Sequence, residues 1–175
     1  MKKTKKETVS KADLFEVLDK MESLQITYWL DGGWGVDALG GKQTREHRDI
    51  DLDFDSRYTD KLLSALGAAG YVIETDQRPA RIELHHPDFG YLDIHPFVLC
   101  REGTARQADL EGGWYEFESD FFGTAEFWGR RIPCISLKGQ LVFHSGYEPR
   151  PTDLHDVEIL HRLEEEGRGK NRHMG

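Results

Sequence analysis

The sequence predicts an α+β fold: a mixed sheet flanked by helices, with a small C-terminal helical part. Three observations point there. Helical spacing alternates with β-branched and aromatic runs from Ser10 to Gly70; hairpin strands then stand where a doubly wound sheet would need another crossover; and helical spacing returns at the end. With 175 residues there is room for one real core and not for two enzymatic domains. Residues 10–165 are therefore expected as a single domain, with 1–9 and 166–175 as flexible tails.

Ser10 followed by Asp13 has the form of a helix N-cap with an acidic third residue, and Leu14, Phe15, Leu18 and Met21 recur at helical spacing. A first helix is expected from Ser10 to Leu24. Ile26 to Leu30 reads as a buried strand that stops at a tight turn, Asp31-Gly32-Gly33. A short helix through Val36 and Leu39 follows, closed by Gly40-Gly41. Between Asp49 and Asp55 the alternation is strict, with Ile50, Leu52 and Phe54 on one face and Asp49, Asp51, Asp53 and Asp55 on the other. Tyr58 to Ala69 is helical and Gly70 is its stop. Strands are expected over Tyr71 to Glu74, Ala80 to His85 and Tyr91 to Leu99, the last two joined by the Pro87-Asp88-Phe89-Gly90 turn. Trp114 to Phe117 and Ile132 to Ile135 are short strands separated by an aromatic loop. Ser136 to His144 and Thr152 to Glu165 close the chain as helices.

Composition narrows the function. An apolar fraction of 38% excludes intrinsic disorder, while 31% charged residues and a mean hydropathy of −0.63 describe a solvated surface without a membrane span. A net charge of −9 repels a phosphate backbone and argues against a nucleic-acid partner, leaving small ligands that are cationic, or anionic and metal-bound. Met1 to Lys6 is basic, but Glu7, Lys11, Asp13 and Glu16 interrupt any apolar export signal, so a cytoplasmic location is expected. Cys100 and Cys134 have no metal or redox spacing and read as inert, partly buried thiols.

Three familiar patterns fail on inspection. Gly33-Trp34-Gly35-Val36-Asp37-Ala38 fits a dinucleotide fingerprint, yet hairpins follow it where a βαβ unit should. His47-Arg48-Asp49-Ile50 looks like a kinase catalytic loop, but Phe54 replaces its asparagine. Phe54 also occupies the glycine position of a calcium loop, and the alternation demands an extended strand. An acidic strand face as a metal site survives. Each like-charge pair about 7 Å apart costs on the order of 2 kcal/mol at an effective dielectric of about 20, which a divalent cation offsets; a solvated edge strand is the bland alternative. Metal-bound carboxylates beside a Gly-Gly turn suit phosphoryl or nucleotidyl transfer. Tyr91-Leu92-Asp93-Ile94-His95 supplies a third carboxylate, opposite in facing to Leu92 and Ile94, and His95 is expected to join Asp93 only through a bulge.

Gly32-Gly33, Asp49-x-Asp51 and the later Asp93 together resemble the nucleotidyltransferase superfamily with the polymerase-β-like fold. Within it, the runs 28–37, 45–51, 91–96 and 143–147 resemble the small lincosamide nucleotidyltransferases of antibiotic resistance, over roughly residues 10–163. The resemblance implies transfer of AMP from ATP, with two magnesium ions, to a hydroxyl of lincomycin or clindamycin. It implies Asp49 and Asp51 as magnesium ligands, Asp93 as third ligand and catalytic proton acceptor, and Gly32 and Gly33 as a phosphate cradle. Lys138 is the candidate for a basic residue that meets the triphosphate, or else a solvated helix charge. His95, Tyr91 and Trp34 are candidate acceptor contacts; Trp114, Trp128 and Tyr147 are further aromatics for that pocket or for packing. His47 beside the acidic cluster reads as a structural histidine more readily than a chemical one, and His155-Asp156 suggests a metal phosphohydrolase dyad or, equally well, part of a surface helix, since adjacent helix residues do not share a face. The alternatives are an aminoglycoside nucleotidyltransferase, whose polycationic acceptors suit the net charge, and a catalytically silent binding protein on the same fold. A homodimer is compatible with either.

Overall fold

The computed structural model describes residues 4–144 and 150–173. The first helix, α1 (Lys11–Ser23), begins with a reciprocal cap: Ser10 Oγ accepts the Asp13 amide at 3.1 Å, and the Asp13 carboxylate accepts the Ser10 amide at 2.9 Å. Such a cap stabilises a helix by about 1 kcal/mol. The face carrying Leu14, Val17, Leu18 and Met21 is buried. Ahead of it, where a tail is expected, Val9 bridges to His47 and is itself buried.

Strand β1 (Tyr28–Asp31) passes without a loop into α2 (Gly32–Gly40). The expected tight turn is thus a strand-to-helix junction: Asp31 is the N-cap, its carboxylate taking the Gly32 amide at 2.8 Å, and Gly32 sits at φ +60°. Strand β2 (Asp49–Asp55) buries Ile50, Leu52 and Phe54 in the main core. A single 3₁₀ turn, Ser56–Tyr58, leads into α3 (Thr59–Ala68). The antiparallel strands β3 (Val72–Gln77), β4 (Arg81–His86) and β5 (Gly90–Leu99) follow.

Two strands were not foreseen. β6 (Ala105–Ala108) is short, with no β-branched residue to mark it, and forms a hairpin with β7 (Trp114–Phe117). The expected aromatic loop contains β8 (Phe122–Phe127), which pairs antiparallel with β9 (Arg130–Ile135). Helix α4 (Leu137–Phe143) is capped by Ser136, and α5 (Pro151–His173) continues well beyond Glu165. That extension has few apolar residues and carries i,i+4 ion pairs such as Arg168–Glu164 at 3.2 Å.

Along the main path the sheet order is β3-β4-β5-β2-β1-β9-β8, with β6 and β7 continuing from the far end of β5. β2 and β5 run parallel, as do β1 and β9; the other pairs are antiparallel, so the sheet is mixed. One face packs on α1 and α3. The other carries the acidic side chains; α2 also enters the main core through Trp34 and Ala38, and meets α4 and α5 around Val36, Ile159 and Leu160. A separate aromatic cluster, Phe97, Phe117 and Phe121, seats the β6–β7 hairpin. No helix among the described residues is long and apolar enough to cross a membrane. Both cysteines are free; Cys100 is exposed, against expectation, and Cys134 is buried, its thiol pushed up to about 12 by burial and by Asp31.

Candidate active site

Four strands bring one carboxylate each to a common line. Asp31 on β1 is registered with Asp51 on β2, Asp51 with Asp93 on β5, and Asp93 with Glu83 on β4. Directly paired residues share a face, and adjacent strands lie about 4.8 Å apart, so the four form a row across the sheet. Asp49 lies one step along β2 on the same face. Oxygens of Asp49, Glu83 and Asp93 all lie within 4.8 Å of one another, as do ligand atoms of Asp51, Asp93 and His95.

Asp93 and His95 therefore share a face without a bulge. The β2–β5 register is continuous through Asp51↔Asp93 and Asp53↔His95, and a two-residue period returns the side chain to the same side. This corrects the expectation that His95 joins only through an irregularity. His95 Nε2 is 3.2 Å from Asp51 and 3.8 Å from Asp93, while Gln107 donates to Nδ1 at 3.3 Å.

Concentrated charge perturbs these groups. Burial, with Asp51 and Asp93 beside it, pushes the Asp49 carboxyl up to about 7. Asp93 is also raised, by burial above all, with His95 and Arg81 opposing. Asp53, completely buried beneath the line and next to Asp31, is held far above the carboxylate range by burial and that neighbour. Burial alone would lower His95, but Asp51 and Asp93 outweigh it and raise it.

Arginines compensate. Arg81 grips both oxygens of Asp93 and lies 3.5 Å from Glu83; Arg48 lies 3.5 Å from Glu83 and 3.8 Å from Asp49, stacked over Tyr91 at 3.9 Å. On the other side, Arg45 pairs with buried Asp156 of α5 through bonds of 3.2 and 3.1 Å. Asp156 is thus part of the cleft wall, not of a solvated helix surface, and its neighbour His155 meets Thr44 at 2.8 Å. The open cleft measures about 630 Å³ and reaches from the Asp31-Gly32-Gly33 junction past the carboxylates to Gln140 and Phe143.

Glycine is required at the junction. A Cβ on Gly32 would stand 2.1 Å from Asp51 Oδ2, and one on Gly33 would stand 2.2 Å from Arg45 Nη2. The start of α2 is thereby left bare beside the carboxylates.

Of the residues singled out from sequence, Asp49, Asp51, Asp93, Gly32, Gly33 and His95 come together here. Tyr91 is buried beneath Arg48 and adjoins the cleft only through that guanidinium. Trp34 does not reach it: the ring is buried against His47, Phe127 and Trp128. Nor does Lys138, which is exposed on α4 and bonded to Glu118 and Asp120. His47 is structural, its Nε2 2.6 Å from buried Asp37. Trp114 is exposed on β7 beneath Arg106, and Tyr147 lies outside the described residues. Arg81 and Glu83 were missed, although Arg81, Glu83 and His85 alternate on the strand that forms a hairpin with Asp93's strand, a signal present in the sequence.

A mixed sheet presenting this carboxylate row beside a bare glycine helix start defines a nucleotidyltransferase. Residues 13–160 match the model of a family described as aminoglycoside-2''-adenylyltransferase, and the chain belongs to that family. It is 51% identical over 156 residues to a lincosamide resistance protein of Staphylococcus haemolyticus, covering 89% of this chain and 97% of the relative. A crystal structure of a lincomycin-bound lincosamide antibiotic adenylyltransferase superposes with a TM-score of 0.83 at 50% identity, covering 89% of this chain and 99% of that one. ANT(2'')-Ia in complex with adenylyl-2''-tobramycin shares the fold, with a TM-score of 0.62 at 17% identity over 86% of this chain and 90% of that one. The likeness to lincosamide nucleotidyltransferases drawn from the motifs is thus found over almost the whole chain.

Proposed function

We propose that this protein inactivates lincosamide antibiotics in the cytoplasm by transferring AMP from ATP to one of their hydroxyls. The observation that carries this reading is 51% identity, over nearly the full length of both chains, to a lincosamide resistance protein, in a chain that keeps its carboxylate row complete. Identity to the aminoglycoside enzyme is far lower and supports the fold alone.

Asp49, Asp51 and Asp93 are the residues that would hold magnesium. The donors fit: they are hard carboxylate oxygens, and burial together with the crowding of Asp51 and Asp93 pushes Asp49 up to about 7, with two glycines opening the adjacent helix alongside. Bound there, magnesium supplies charge neutralisation for the triphosphate and acidifies the attacking hydroxyl. With the Gly32 amide held by Asp31, the Gly33 amide and the Arg45 guanidinium receive the β- and γ-phosphates. Asp93 accepts the proton of the acceptor hydroxyl while that hydroxyl's oxygen forms a bond to the α-phosphorus and the bond from the α-phosphorus to pyrophosphate breaks. His95, held between Asp51 and Gln107, fixes the carboxylates on that side.

Incubation with ATP, magnesium and a panel of lincosamides and aminoglycosides, followed by mass spectrometry of each drug, tests the reading. Adenylylation of lincomycin and clindamycin is expected; modification of aminoglycosides alone would overturn it.

A further inference from the structure

Asp37 of α2 is completely buried and stands outside the cleft lining. Its carboxylate holds the loop that joins α2 to β2, residues 41–48. One oxygen, Oδ1, takes the Thr44 hydroxyl; the other, Oδ2, takes the Thr44 amide at 3.0 Å and His47 Nε2 at 2.6 Å. Burial works to raise this carboxyl, but the bonds from His47 and Thr44 outweigh it and keep it below the ordinary value, so the group is an anion ringed by donors. The Thr44 hydroxyl has one proton and gives it to Asp37, so from His155 Nε2, 2.8 Å away on α5, it accepts. A bonded chain thus runs from α5 through the loop to α2. The next residue along both elements repeats the link, because Arg45 pairs with Asp156.

The loop needs such anchors. It leaves α2 at Gly41, with φ +80°, and Lys42, Gln43 and Glu46 are exposed. Among the described residues its backbone pairs with another strand only at the bridge from His47 to Val9. The position of Arg45 is therefore left to side-chain bonds, whereas Asp49 just beyond is fixed by the β2–β5 ladder opposite Tyr91. Thr44 and His47 flank Arg45, and both Arg45 and His47 close on the same glycine: a Cβ on Gly33 would stand 2.2 Å from Arg45 Nη2 and 2.7 Å from His47 Nδ1. Asp156 fixes the guanidinium; Asp37 fixes the backbone that carries it.

We propose that Asp37 and Thr44 are positioning residues for the nucleoside triphosphate, clamping the 41–48 loop so that the Arg45 guanidinium is aimed at the phosphates beside Gly33. The assignment rests on the reading of Arg45 as a phosphate contact and adds what sets its aim. It also absorbs the Gly33-to-Ala38 pattern of the sequence: the glycine makes room for Arg45, and the aspartate holds the loop that brings it there.

Steady-state kinetics of lincomycin adenylylation in Thr44→Val, Thr44→Ser, Arg45→Ala and the Thr44→Val/Arg45→Ala double variant tests it. Thr44 is varied because it is only half-buried and valine matches its shape, whereas Asp37 lies in the interior. Thr44→Val is expected to raise KM for ATP about fivefold, with kcat and KM for lincomycin within about twofold. Thr44→Ser, which keeps the hydroxyl, restores KM for ATP. Mn²⁺ affinity without nucleotide stays within about twofold, since the ladder and not the loop holds Asp49. In the Arg45→Ala background Thr44→Val adds less than about twofold, because the group through which it acts is gone; a general weakening of the fold would add equally in both backgrounds. A wild-type KM for ATP in Thr44→Val, or a loss that persists undiminished in the double variant, overturns the positioning role and leaves Arg45 as a phosphate contact. A wild-type KM for ATP in Arg45→Ala overturns the phosphate reading itself.

Discussion

Arg81 and Asp93 form a two-point ion pair across the β4–β5 hairpin, with Nε and Nη2 of the guanidinium 3.1 and 2.9 Å from Asp93 Oδ2. The arginine thus occupies the face of the carboxylate on which a divalent cation would draw, and holds the acidic row together in the metal-free protein. Removing it uncovers the carboxylates and leaves their repulsion unopposed. Arg81→Ala is expected to tighten Mn²⁺ binding by about 1 kcal/mol, roughly fivefold, given the partial exposure of the pair. The metal-free melting temperature should drop by about 4 °C. Electron paramagnetic resonance titration and calorimetry read the two effects; weaker Mn²⁺ binding would show that the guanidinium does not compete.

Gly32 is constrained twice, by a φ of +60° and by Asp51 Oδ2 at 2.1 Å from where a Cβ would stand. The conformational cost of alanine there is about 1 kcal/mol. Displacement of Asp51 matters more. Gly32→Ala is expected to keep its circular dichroism spectrum while losing Mn²⁺ affinity and falling below about 1% of wild-type turnover, a deficit of about 3 kcal/mol or more. Unaltered Mn²⁺ binding in a folded variant would separate the junction from the carboxylate site.

The legibility of this fold follows from which signals are local. Strand β2 was readable to the residue because strict alternation of Asp with Ile, Leu and Phe has no helical counterpart. The α1 cap was readable because both partners lie within four residues. Strand β8 was not, since the run from Phe121 to Phe127 lacks an alternating pattern and owes its extended form to β9. In the site, Asp49, Asp51 and Asp93 stood out by motif, while Arg81, Glu83 and Gln107 matter only through cross-strand register. Trp34 and Lys138 were misplaced for a related reason: residue type suggested a pocket, but the packing of α2 and α4 directs one ring inward and one ammonium toward Glu118 and Asp120.

Arg45 and Lys138 offer a direct comparison of the two cations. Arg45 lies against Gly33, beside the bare helix start, and is anchored by buried Asp156. Lys138 is exposed and satisfied by two surface carboxylates. Arg45→Ala is expected to raise KM for ATP about tenfold or more, with partial rescue in Arg45→Lys, which restores the charge but not the two-point geometry. Lys138→Ala should leave KM for ATP within about twofold. A larger effect from Lys138→Ala than from Arg45→Ala, in steady-state kinetics at saturating drug, would reverse the assignment.

Asp49 gives the metal-free protein a distinctive dependence on pH. Its folded-state value, pushed up to about 7, lies above the ordinary 3.8 of the unfolded chain, so the native state binds the proton more tightly. Below the unfolded value both states are protonated and nothing is lost. As the pH rises from about 4 through 7, the unfolded chain releases its proton first, and stability falls until the native carboxyl has also ionised. Asn at this position cannot ionise and escapes that loss. Asp49→Asn is therefore expected to match the wild type near pH 4 and to exceed it at pH 8 without metal, by about 1 kcal/mol, a figure reduced because the side chain is 32% exposed and solvent screens it. Magnesium should reverse the order by stabilising only the wild type, while turnover in the variant is abolished. Urea denaturation across this pH range, with and without magnesium, decides the matter: equal stability of the two proteins at pH 8 in the absence of metal would mean that the acidic row carries no net repulsion, and the argument for a cation there would lose its electrostatic basis.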